Sequence, residues 1–433
     1  MLNWLEDKLI GPLGKIAQNI YLQSIRDAFV IFALPVIITG ALFLIIANPP
    51  ADLEWGIVQA WANAIEPIQG QIMFPFHLTF GLVALLVAFG VGYSLAQRRD
   101  MDAVMAGILS MLAFMMTAFP VQDITEVPFG EALAYLGGEG LFVSIIIGIV
   151  VTELMRFFVN KGLTIKMPPG VPPYVLRTFT ALVPFLVILP ATWIIQWIVW
   201  ANFEVTLPQA VMALFEPLVA ASNTYPAALG MILIMMVLWS MGIHGMNVVS
   251  SVAYPFWLSQ MDRNVEAQAA GETGGGIVTE PFFHMFTHIG GSGVTLGLAV
   301  FMLFAISTQI KQVGKTAIVP ALFNINEPII FGLPIVLNPL MMIPFILAPA
   351  VIVTSNFILF TTGVLDPVVI QPPFTMPIFF GGFIATGGQF LAGLVQILNV
   401  IVAALIYWPF FKAYDKQLAN EEKAAEQGES AES

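Results

Sequence analysis

Asn324-Ile325-Asn326-Glu327-Pro328 puts a carboxylate, two amides and a helix breaker into five residues of otherwise apolar chain. Between Lys315 and Lys412 the only charged side chains are Glu327 and Asp366. An ionisable group at membrane depth costs about 2.5–3.5 kcal/mol on insertion scales, so a carboxylate there is expected to face a protein cavity and to have partners. Pro328 interrupts the helix and frees backbone polar groups that the protein or a ligand must satisfy. This pattern predicts a buried polar binding site centred on Glu327, with Asn324 and Asn326 beside it. The competing reading is a hydrogen bond that only holds a broken helix together.

A second group is Gly242-Ile243-His244-Gly245-Met246-Asn247. Glycines beside a histidine at the end of a span, Gly245 among them, let backbone approach a ligand closely, and an imidazole can donate to or accept from a sugar hydroxyl. Trp239 and Trp257 lie near it in sequence and offer faces on which a pyranose stacks. The competing reading is that His244 caps a helix end or bonds a carbonyl. A third group, Glu280, His284 and His288, has i, i+4 spacing that would place three metal ligands on one helix face. Pro281 stands at the head of that element and the pattern is not a zincin motif, so no metal is expected. No cofactor and no nucleic-acid partner are expected either, because the chain has no Gly-rich phosphate loop and no basic patch.

The elements that must position these residues are set by composition. The chain is 58% hydrophobic and 10% charged, against about 25% charged residues in a soluble domain. It therefore reads as an all-α polytopic membrane protein with about ten apolar runs long enough to span a bilayer, each about 20 residues. The spans read at 28–46, 78–95, 103–119, 141–158, 179–200, 227–243, 294–310, 341–359 and 390–410. Val211–Val219 reads as an amphipathic interfacial stretch, and 250–276 as a polar, Gly-rich connector.

Basic residues cluster before the first span, at Arg98 and Arg99, around the Pro-rich turn 166–173 and after Lys412, whereas 49–71, 121–140 and 201–225 hold none. The positive-inside rule then places both termini in the cytoplasm. Arg98 and Arg99 read as an ordinary loop of that kind. Glu6 and Asp7 stand where a secretory signal would be basic, so no cleaved leader is expected. The segments divide as 1–27, a cytoplasmic start; 28–225, about five spans; 226–411, an irregular second half; and 412–433, a cytoplasmic tail whose acidic end, 421–433, is expected to be disordered. In the second half two apolar stretches carry Glu-Pro followed by aromatic or aliphatic residues, at Glu280-Pro281 and Glu327-Pro328. Paired interruptions of this kind predict two re-entrant hairpins. Cys is absent, which excludes disulfides, thiolate nucleophiles and Cys-held metals.

In order along the chain, Ile25-Arg26-Asp27-Ala28-Phe29, Gly140-Leu141-Phe142, Ile165-Lys166-Met167-Pro168 with Val171-Pro172-Pro173, Gly242-Ile243-His244-Gly245, Ile289-Gly290-Gly291-Ser292-Gly293, and Phe323 through Gly332 form a recognisable series. The chain resembles the enzyme IIC component of the sugar phosphotransferase system, of the lactose/cellobiose/diacetylchitobiose family. The resemblance implies a homodimer in the lipid bilayer, with the first five spans as dimerisation scaffold and the later spans with two hairpins as an elevator-type unit that carries a disaccharide. It implies that His244 and Glu327 contact the sugar, with Glu327 near the 6-hydroxyl that becomes phosphorylated. Glu327 would act there as general base, the more readily if burial raises its pKa. It adds Gly291, His284 and Phe374 as substrate contacts, the last two at positions that bear on sugar choice. The phosphate donor would be a cysteine of enzyme IIB, itself charged through enzyme IIA. A chain with no cysteine must receive IIB in trans. The rival from another class is a proton- or sodium-coupled secondary transporter in which His244 and Glu327 relay protons.

Overall fold

A computed structural model describes residues 18–47, 49, 56–121, 135–165, 167, 168 and 171–432 of the chain. The expectations resting on Glu6 and Asp7, and on parts of the Pro-rich turn, lie outside the described residues. In chain order the helices are α1 (Ile20–Asp27), α2 (Leu34–Ala47), α3 (Gly56–Ile65), α4 (Gln69–His77), α5 (Val83–Arg98), α6 (Ala103–Ala118), α7 (Leu141–Asn160), α8 (Pro173–Phe203) and α9 (Leu207–Ser222). There follow α10 (Tyr225–Ser240), α11 (Gly245–Ala269), α12 (Glu280–His284), α13 (Leu296–Leu303), α14 (Thr308–Leu322), α15 (Glu327–Gly332), α16 (Pro339–Thr361), α17 (Phe380–Ala385) and α18 (Phe390–Glu432). No strand occurs among the described residues.

Among the described residues, six helical stretches are long and apolar enough to cross a membrane: Ile20–Leu44, Gly56–Arg98, Gly138–Asn160, Val175–Phe203, Pro339–Thr361 and Phe390–Ala425. The pair α9 and α10, bent by 76°, would make a seventh, and α6 is apolar but shorter. The chain is a multi-pass membrane protein. The run read as one span over 294–310 is divided, because α13 stops at Leu303 and Ser307 caps the start of α14 by accepting from the Ile310 N–H. Two further readings are corrected. Residues 250–269 are not a connector but the body of α11, whose polar side chains Ser259, Gln260 and Asn264 are buried. The tail is not disordered but helical to Glu432, as the end of α18.

Two compact units form, one from Met1–Ala47, Ile65–Ala221 and Ser250–Asp262, the other from Asn48–Ala64, Ser222–Val249 and Arg263–Ser433. In the first, α5, α6 and α7 pack through small residues, as membrane helices do where backbones must come close. A Cβ on Gly148 would lie 2.8 Å from Val91, one on Gly107 2.8 Å from the Phe89 ring, and one on Gly90 2.9 Å from Ala28. Arg98 and Arg99 are not bare loop charges: Arg98 pairs with Asp27 at 2.5 Å and Arg99 with Glu153 at 2.8 Å. The Arg26–Phe29 motif thus gains a physical meaning. Asp27 takes both Arg26 and Arg98, Ala28 meets Gly90, and Phe29 stacks on Tyr254 at 4.7 Å between ring centroids.

The second unit must hold irregular backbone inside an apolar setting, where unsatisfied carbonyls and amides are costly. Buried side-chain amides do this. On α16 and α18, Asn356 and Asn399 both donate to the Phe286 carbonyl, at 2.9 and 3.1 Å, and Asn399 also donates to Asn356 Oδ1 at 3.0 Å. Gln396 donates to the Met285 carbonyl at 2.6 Å and accepts from the Gly382 N–H at 2.8 Å. The backbone just after α12 and the head of α17 are thereby fastened to α18. Asn264 clamps the Gly276 N–H and carbonyl at 2.8 and 2.7 Å and reaches the Val368 carbonyl at 2.9 Å. At the other end of the unit, Asp415 accepts from the N–H groups of Ile306 and Ser307, and Glu422 from those of Thr308 and Gln309, all between 2.9 and 3.0 Å.

Candidate functional site

The loop before Glu327 starts where α14 ends. Asn324 adopts φ +61°, the left-handed conformation that asparagine tolerates at a helix C-terminus, and the Ile325 N–H closes back on the Pro320 carbonyl at 3.1 Å. Its side chain joins three segments: it donates to the carbonyls of Phe374 and Met376, at 2.7 and 3.0 Å, and accepts from the Gly290 N–H at 2.8 Å. Asn326 is 3% exposed and donates to the Ser292 carbonyl and to Thr295 Oγ1, at 2.6 and 2.8 Å. Both amide hydrogens of each residue are thus spent within the protein. Expected as ligand contacts, Asn324 and Asn326 act here as cross-links between interrupted elements.

Those cross-links meet the Gly-Gly-Ser-Gly loop. Gly290, Gly291, Gly293 and Val294 have φ of +76°, +94°, +88° and +57°, a path in which most side chains would be strained. A Cβ at Gly291 would overlap the Asn326 side chain. The close approach at Gly291 is therefore to Asn326. The loop's carbonyls are occupied, that of Gly290 by Thr295 Oγ1 at 2.6 Å and that of Gly293 by the Tyr407 hydroxyl at 2.7 Å.

Both Glu-Pro pairs begin short helices, the glutamate in the first turn with proline after it, where a missing N–H costs nothing. Their carboxylates differ. Glu280 is buried and hydrogen-bonded to His284 Nδ1. Glu327, against expectation, is exposed on its unit at the N-terminus of α15, where the helix dipole favours a negative charge. The burial expected of Glu327 is thus not met on its unit.

Gly242, at φ +81°, ends α10, and Gly245 is buried where a Cβ would overlap the Met235 backbone. These glycines serve a turn and a helix contact. His244 is the N-cap of α11, its Nδ1 accepting from the Asn247 N–H at 3.3 Å, so the capping reading is observed. The imidazole remains exposed and lies 4.3 Å, between centroids, from the buried Trp239 ring. His284 lies 5.8 Å from His288 and 6.2 Å from Phe374 between ring centroids, and Phe374 is 49% exposed. Helix α12 ends at His284, so the i, i+4 face proposed for His284 and His288 is not regular helix.

Sequence reasoning missed the amides. Asn356, Gln396 and Asn399 stand in stretches read as plain spans, and an uncharged amide amid apolar residues was the available signal. It also left His288 without a role, although its ring sits beside that of His284.

The family model for the phosphotransferase system, EIIC, matches residues 26–349. The lichenan permease IIC component of Bacillus subtilis (strain 168) is 40% identical over 98% of this chain and 95% of its own length. The cellobiose-specific EIIC component of Geobacillus stearothermophilus is likewise 40% identical, over 98% of this chain and 96% of its own. The crystal structure of the transporter ChbC, the IIC component from the N,N'-diacetylchitobiose-specific phosphotransferase system, superposes with a TM-score of 0.89 at 36% identity, covering 97% of this chain and 99% of that one. Match of family model, full-length relatives and fold agree that the chain belongs to the EIIC family of the phosphotransferase system.

Proposed function

We propose that the protein is the permease subunit for a disaccharide of β-linked hexoses, cellobiose first and diacetylchitobiose next. It carries the sugar inward and presents its 6-hydroxyl to phospho-IIB. The observation that carries this reading is the meeting, beside Glu327, of two interrupted elements and an aromatic residue. Asn324 and Asn326 tie the loop before Glu327 to the Gly290–Gly293 loop and to the backbone at Phe374. The relatives named above for lichenan, cellobiose and N,N'-diacetylchitobiose support the sugar class.

In the proposed transfer the sugar 6-oxygen attacks the phosphorus of phosphocysteine, the S–P bond breaks and the thiolate leaves. Glu327 orients the hydroxyl and takes its proton. His244, with Nδ1 engaged by Asn247, carries its proton on Nε2 and offers a donor to a sugar oxygen. Trp239, Phe374, His284 and the Gly245 and Gly291 turns frame the sugar. In this proposal the phosphate donor is a cysteine of IIB, supplied in trans and recharged by IIA, a reading that the absence of cysteine from the chain supports. About ten crossings, cytoplasmic termini, a homodimer and an elevator-type movement of the hairpin-bearing half belong to the same proposal.

Vesicles holding the protein, supplied inside with phosphoenolpyruvate and the soluble phosphotransferase proteins including IIA and IIB, should accumulate cellobiose 6-phosphate. Accumulation of unmodified cellobiose on a proton or sodium gradient alone would overturn the reading. Glu327→Gln should bind cellobiose within about threefold of wild type while transferring phosphate at least about tenfold more slowly, the scale of losing a general base. Unchanged transfer would remove Glu327 from the chemistry.

A further inference from the structure

Three of the four histidines of the chain, His244, His284 and His288, lie in the second unit, and His244 and His284 are both within electrostatic reach of His288. His288 is 3% exposed, and its Nδ1 lies 3.0 Å from the Phe283 carbonyl oxygen. A carbonyl can only accept, so Nδ1 carries the proton and, in a neutral ring, Nε2 is an acceptor. Nε2 is itself buried and has no hydrogen-bond partner among the described residues. Proteins rarely leave such an atom orphaned, because its lost hydration is not replaced.

The tautomer of His288 is the opposite of that of His244, whose Nδ1 accepts from Asn247 and whose Nε2 therefore carries the proton. One imidazole presents a donor and the other an acceptor. A sugar bears hydroxyls that can do both. His288 also sits directly before the Gly290–Gly293 loop, which Asn324 and Asn326 anchor to the Glu327 segment. It is therefore next to a loop fastened by side-chain amides to the proposed site.

We propose that His288 Nε2 accepts a hydrogen bond from one hydroxyl of the bound disaccharide and makes the protein selective for that hydroxyl. The inference rests on the sugar-binding reading given above. An analogue lacking that hydroxyl leaves Nε2 as unpaired as it is in the free protein and forgoes the bond, on the order of tenfold in affinity.

The test is calorimetric titration of cellobiose and its mono-deoxy derivatives onto detergent-solubilised wild type and His288→Asn. Asparagine keeps a donor toward the Phe283 carbonyl and removes Nε2. One deoxy derivative should bind wild type about tenfold more weakly than cellobiose, whereas His288→Asn should bind the two equally and weakly. His288→Gln, whose amide oxygen reaches toward the Nε2 position, should restore part of the preference. Equal cellobiose affinity in wild type and His288→Asn overturns the inference, as does a full set of deoxy penalties surviving in the variant, the result expected if Nε2 serves a buried water.

A readout needing no variant is the Nε2 nitrogen-15 resonance of His288 in histidine-labelled protein. It should shift on adding cellobiose and stay put on adding that one deoxy derivative, and no shift with cellobiose overturns the inference. Wild type that binds no cellobiose overturns the substrate reading instead, and this inference falls with it.

Discussion

His244 carries two loads that an alanine substitution would confuse. It caps α11 through Nδ1 and offers the rest of its ring toward the proposed sugar. Losing an N-cap costs about 1 kcal/mol, enough to weaken binding indirectly by loosening the Gly242–Gly245 turn. Asparagine is itself a preferred N-cap, so His244→Asn separates the two. We expect its thermal midpoint to stay within about 2 °C of wild type, which follows from the retained cap, while its cellobiose affinity falls about fivefold or more with one hydrogen bond lost. Wild-type affinity in a stable His244→Asn would leave the residue with the capping role alone. The residues with chemistry were legible in the sequence because charge and histidine are rare in this chain. Their surroundings were not: the bonds that Asn324 and Asn326 make come from Gly290, Ser292, Thr295 and Phe374, far away in sequence.

At the scale of elements, the interruptions themselves were readable, since Glu-Pro marks a first helical turn and glycine runs mark positive φ. What holds the interruptions in place was not. Asn356, Asn399 and Gln396 look like incidental polar residues until α12 and α17 are folded against them, and α11 looks like a loop until Gln260 and Asn264 acquire partners. Asn356→Leu or Asn399→Leu should cost about 1–3 kcal/mol each, the scale of a buried polar group left unpaired. The double variant should cost less than the sum, because the two share the Phe286 carbonyl and bond each other. Chemical unfolding in mixed micelles measures both, and strict additivity would show that the pair does not act as one bridge.

For the whole molecule, composition alone specified a helical membrane protein, and six spans bear that out. The proposed count of about ten is harder to read, because apolar length does not reveal where a helix stops, as between Leu303 and Thr308. A chain free of cysteine invites a direct test of assembly. Single cysteines placed one at a time along Pro173–Phe203 should cross-link two copies at some positions, whereas cross-links arising only from the second half would reject the scaffold proposed for the first. The last helix has a practical consequence of its own. Asp415 and Glu422 lie two turns apart, about 10 Å, on one rod, and between them cap the first amides of α14. A fluorescent reporter fused after Asn420 would delete half of that cap and leave the Thr308 and Gln309 N–H groups bare. Fused after Ser433, it would leave them covered, so the acidic tail has to be kept if such a reporter is to follow the native protein.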